Sequence, residues 1–135
     1  MTEKTKELLF FISTLSLTII CSLQLFGIEN LKAGNLVLNV HDTYFVISAL
    51  HFFVFVTPLV FTISYLIRNL IIKFQNKISN IILLIFNGFL LFILLTSLIV
   101  NEQDGLNLWI LILTLFGLEL FVFIKTMKLK NKSNK

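Results

Sequence analysis

The stretch ISNIILLIFNGFLLFILLTSLIV, residues 78–100, decides the fold. It runs for 23 residues without a charged side chain. A helix rising about 1.5 Å per residue crosses a hydrocarbon core of about 30 Å in roughly 20 residues, so this segment is long enough to span a membrane. The rest of the chain agrees: of 135 residues, 57% are hydrophobic and 13% charged, whereas soluble domains carry about a quarter charged residues. Three more windows of the same kind lie to either side, Leu8–Phe26, Tyr44–Ile67 and Leu108–Met127. The expected fold is an all-α membrane protein, four transmembrane helices in a small antiparallel bundle, forming one domain over residues 1–135. The connections left over are a loop of about 17 residues and two of about ten and seven. They leave no room for a soluble catalytic domain.

The first window reads as a permanent anchor, because its apolar core is too long for a signal peptide and no small-x-small cleavage site follows. Ile20 stands where a lipoprotein acylation site at Cys21 would need a small residue. A lone cysteine within a span reads as a packing residue. Charge sets the orientation: with the N-terminus in the cytoplasm, ten of the eleven Lys and Arg fall inside and only Lys32 outside. Glu29, Asp42, Glu102 and Asp104 then lie outside, in keeping with the positive-inside rule. Both termini are therefore expected in the cytoplasm of a bacterial inner membrane. The net charge of +4 reflects orientation and contact with anionic lipid headgroups, not nucleic-acid binding.

Polar residues inside spans are costly in lipid and tend to face protein or water. His51 and Glu119 lead this group. Counted from the outer boundary they fall at depths of roughly 13 and 16 Å, on helices running in the same direction, so a buried His51–Glu119 pair that relays protons is one reading. The other makes Glu119 a neutral, hydrogen-bonded structural acid and His51 a packing residue. Lys125 is expected to extend toward the inner headgroups. Ser13, Ser16 and Gln24 form one stripe of the first span, and Thr14, Thr18 and Cys21 a neighbouring one. These, with Thr57, Thr62, Ser64, Asn87, Gly88, Thr96 and Ser97, read as interhelical glue, each worth about 1 kcal/mol or less. Pro58 should bend the second span, Trp109 anchors at the interface, the alternating NLVLNV is strand-like, and NEQDG is a turn.

The lead-in to the second span is NVHDTYFVISALHFFVF, residues 39–55, which contains both histidines. HDTY reads as a helix start at the outer surface, with Asp42 or Thr43 as cap and Tyr44 at the interface. His41 and Asp42 together are also a candidate divalent-cation site.

These 17 residues resemble the segment of haem-copper oxidase subunit I in which a His-Asp-Thr-Tyr lead-in opens the tenth transmembrane helix and a His-x-His follows. The resemblance implies a magnesium site at His41 and Asp42 and a low-spin haem ligand at His51. It also implies what is missing: Ala49 stands where that family places the ligand of the oxygen-reducing haem. With two histidines in the chain, the copper ligands and the opposing low-spin ligand have no counterpart. His41 and His51 lie about 15 Å apart along a helix and roughly 80° apart around it, so they cannot sandwich one iron. Haem would need His51 from each half of a homodimer. The reading that follows is a small, non-catalytic, subunit-like or accessory membrane protein associated with a respiratory complex and other membrane subunits. The alternatives are a haem-binding electron carrier using His51 and a proton or small-solute transporter using Glu119 and His51.

Overall fold

A computed structural model describes residues 2–29, 34–40, 43–100 and 105–133. Its elements in chain order are helix α1 (Glu3–Phe26), strands β1 (Asn35–Val40) and β2 (Thr43–Ser48), and helices α2 (Ala49–Ile71), α3 (Lys77–Val100) and α4 (Gly105–Ser133). Each of the four helices is long and apolar enough to cross a membrane. The distribution of polarity shows what surrounds them. Ile71, Leu50 and Phe92 are 76%, 71% and 65% exposed, while Asn69, Asn80 and Asn87 are 0–1% exposed. A protein built for water has the opposite arrangement; large exposed apolar faces over amide-rich interiors suit lipid. This is a multi-pass integral membrane protein.

The chain divides into two compact units, residues 1–60 and 61–135, with the division inside α2, two residues after Pro58. In the first unit, Thr2 caps α1 by accepting from the Thr5 N–H at 3.3 Å, and Gly27 (φ 78°) ends it with its N–H on the Leu23 carbonyl. Thr14, Thr18 and Ser22 are buried and Ser13 and Ser16 exposed, so of the two stripes on this helix the threonine one faces inward. Phe26 closes the end of the helix against Phe52, ring centroids 5.2 Å apart.

β1 and β2 form an antiparallel hairpin in which Asn35 pairs with Ser48 and Val40 with Thr43. The strand expected at NLVLNV is present; the helix expected from Tyr44 is not. Thr43–Ser48 (TYFVIS) consists almost wholly of β-branched and aromatic residues, which favour a pleated strand, and a ready partner lies just upstream. Gly34 supplies the positive φ (74°) that starts β1, and its carbonyl accepts from the Ala49 N–H at 2.9 Å. The helix begins only there, and its cap is Ser48 rather than Asp42 or Thr43: the Ser48 hydroxyl accepts from the His51 N–H at 3.3 Å, the usual N-cap bond.

In the second unit, buried positions of α3 recur as Asn80, Leu83, Asn87, Leu90 and Leu94, and of α4 as Ile112, Val122 and Thr126. The alternating three- and four-residue steps in α3 are those of left-handed helix packing. Phe61 of α2 stacks on Phe86 of α3 at 4.1 Å. The α2–α3 connection turns through two left-handed residues, Lys73 (φ 52°) and Phe74 (φ 58°). Three asparagines hold it: Asn69 donates to the Ser79 carbonyl, Asn80 to the Phe74 carbonyl, and Asn76 caps α3 by accepting from the Ile78 and Ser79 N–H groups. Phe74 lies edge-on to Phe121 of α4 at 5.1 Å.

Candidate functional site: a mid-span amide and carboxyl

Asn87 and Glu119 meet between α3 and α4. Asn87 is the eleventh residue of the span Lys77–Leu98 and Glu119 the twelfth of Leu108–Leu129, so each stands midway along its helix. The Asn87 amide nitrogen donates to the Leu115 carbonyl at 3.1 Å and to Glu119 Oε2. Both amide hydrogens are thereby committed, and Asn87 Oδ1 is buried without a partner. Glycine at the next position brings the acid close: a Cβ placed on Gly88 would stand 3.7 Å from Glu119 Oε1 and within 4 Å of nothing else. Gly88 also floors an apolar groove of about 500 Å³ lined by Leu84, Ile85, Phe89 and Phe92. Lys125 does not reach the acid; its ammonium sits 5.7 Å over the Phe121 ring.

His51 is the third residue of α2, and it is exposed. The expectation of a buried histidine deep in the span fails because the first five residues of the anticipated helix, Tyr44–Ser48, are strand. Its Nδ1 shares a hydrogen bond with the Ser48 hydroxyl. His51 and Glu119 fall in different units, and each has its hydrogen-bond partner within its own: Ser48 for the one, Asn87 for the other. His41 and Asp42, the candidate cation ligands, lie outside the described residues. Among the described residues no three His, Cys, Asp or Glu side chains gather as a metal site would require.

The polar side chains divide by chemistry. Asn87 and Gly88, expected at a helix interface, are there. Four of the hydroxyls expected to act as glue turn back on their own helices: Thr14 donates to the Phe10 carbonyl, Ser16 to Ile12, Thr18 to Thr14 and Thr96 to Ile93. A short hydroxyl side chain reaches its own preceding turn more readily than a neighbouring helix. Nothing in the sequence singles out Asn69, whereas Asn80 is signalled by its heptad spacing from Asn87. No protein-family model, curated protein or solved structure matches the chain.

Proposed function

We propose that this multi-pass membrane protein is a non-catalytic, subunit-like or accessory component of a larger membrane assembly, held in a bacterial inner membrane with both termini in the cytoplasm. One observation carries the reading: the buried amides of the second unit are spent on joining elements, Asn69 and Asn80 at the turn and Asn87 from α3 to α4. Polar groups used in this way specify which helices pair. Association with a respiratory complex rests on the resemblance of residues 39–55 to the oxidase segment. A second reading is haem ligation by His51 from each half of a homodimer: in the tautomer whose Nδ1–H donates to the Ser48 oxygen, the unprotonated Nε2 is left as the ligand atom, as second-shell bonds do for metal-binding histidines.

Purification from native membranes in mild detergent, with an absorbance spectrum, metal analysis and identification of copurifying chains, tests both. The accessory role predicts a colourless protein with membrane subunits in fixed ratio. Recovery of the folded chain without any such subunit overturns it, and a Soret band lost on His51→Ala moves the assignment to haem.

A further inference from the structure

We propose that Glu119 is a proton-binding site at mid-span, reached through the gap that Gly88 leaves in α3. The hydrogen-bond count at the site points to it. Asn87 Nδ2 gives one hydrogen to Leu115 and the other to Glu119 Oε2, so no donor remains on that side chain. Two acceptors stay unserved, the buried Asn87 Oδ1 and Glu119 Oε1, which faces the empty position beside Gly88. Of these two acceptors only the carboxylate oxygen is basic enough to take a proton, and a bare charge there is costly in an apolar span. The carboxyl is where a proton binds.

Among the described residues of α3 and α4, no cation is placed beside the carboxyl to do the same work. The groups facing Glu119 from α3 are Asn87 and Gly88, and from α4 the Leu115 carbonyl. The described cations nearest in sequence on those helices are Lys77, ten positions from Asn87, and Lys125, drawn onto Phe121. Access follows from the glycine. A side chain larger than methyl at position 88 would occupy the space before Oε1, whereas a methyl group fits at ordinary contact distance. Binding and release of the proton exchange a charge-assisted bond from Asn87 for a neutral one, so the α3–α4 contact tightens when the proton leaves and loosens when it returns.

Dicyclohexylcarbodiimide, an apolar reagent for protonated carboxyls, tests the site in the full-length protein in detergent micelles, with the adduct mapped by mass spectrometry. Glu119 should be labelled, with the rate falling about tenfold per pH unit once the proton is lost. Glu119→Gln should abolish that adduct, Gly88→Ala should preserve it, and Gly88→Leu should suppress it. The proposal is overturned if folded wild-type protein gives no adduct at Glu119, if labelling is independent of pH, or if folded Gly88→Leu labels like wild type. Should Gly88→Leu not fold, the pH profiles of wild type and Gly88→Ala decide the matter. Labelling requires no partner subunit, so the outcome is independent of the accessory role.

Discussion

The two connections that flank α2 are both short and both enter a membrane helix, yet they are held in different ways. Before α2, the segment closes mainly through its own backbone, the β1–β2 ladder and the Gly34 carbonyl, with one side-chain cap from the Ser48 hydroxyl. After it, residues 69–80 also carry backbone bonds, such as Phe74 N–H to the Asn69 carbonyl at 2.8 Å, but add asparagine side chains reaching backbone carbonyls and a phenylalanine packed on α4. Both sets of bonds are local in sequence, the asparagine clasps spanning ten and six residues. The side chains differ in what their loss leaves behind: a polar group without its partner, or a cavity. Substitutions in the second unit should therefore be the more damaging.

The largest effect is expected at Phe74. Its ring is 7% exposed and packs against Phe121, so Phe74→Ala should destabilise the protein by about 3 kcal/mol, the lower end for removing a packed aromatic ring. Reversible unfolding in mixed micelles measures it. A cost near that of the hairpin substitutions below would erase the contrast between the two connections.

Next comes the mid-span clasp. Asn87→Leu leaves the Glu119 carboxyl and the Leu115 carbonyl without their donor, which should cost about 1–3 kcal/mol. Glu119→Leu in the same chain removes the stranded carboxyl and should recover much of that loss, because replacing both partners is gentler than replacing one. The double-mutant cycle gives the coupling directly. A coupling of zero would mean that Asn87 serves the Leu115 carbonyl alone and that Glu119 adds nothing to the helix pair.

In the hairpin the leading substitution is Gly34→Val. At φ 74° a β-branched residue carries a left-handed penalty of about 1–2 kcal/mol, confined to the first unit. Hydrogen exchange at the Ala49 amide, which donates to the Gly34 carbonyl, should accelerate while exchange at α3 amides stays unchanged. Faster exchange in both would show that the hairpin supports more of the molecule than its own ladder.

These contrasts also mark what could be read from the sequence. The four spans were legible because length and apolarity alone determine them, and Ile78–Val100 leaves no alternative. The interface role of Asn87 and Gly88 was legible from their position within such a span. The start of α2 was not: TYFVIS is apolar enough to continue a span, and only pairing with residues 35–40 makes it a strand. That five-residue shift, from Tyr44 to Ala49, moves His51 from the depth of a helix to its first turn. The partner of Glu119 was hidden for a different reason. Asn87 lies 32 residues away, and which helices pair depends on packing that periodicity within one span does not reveal.

The smallest effect, and the one bearing most on His51, is at Ser48. Its hydroxyl caps α2 through the His51 N–H and also engages the His51 ring. Ser48→Ala should cost about 0.5–1 kcal/mol, toward the low end for a lost N-cap because the site is exposed. Ser48→Thr keeps a hydroxyl and should restore most of it. The informative readout is the ring: nitrogen-15 shifts of His51 should report loss of the Nδ1 partner in the alanine variant and its return in the threonine variant. If the ring signals are the same in all three proteins, Ser48 does not set the tautomer. Nε2 is then no better placed than Nδ1 as a ligand atom, and haem ligation by His51 loses the geometry that favours it. If the signals change while the rest of the spectrum stays fixed, the strand-to-helix junction is a local device that orients one imidazole. Its effect then stops at the end of the hairpin, unlike that of the clasp at Asn87, which joins two spans at their centres.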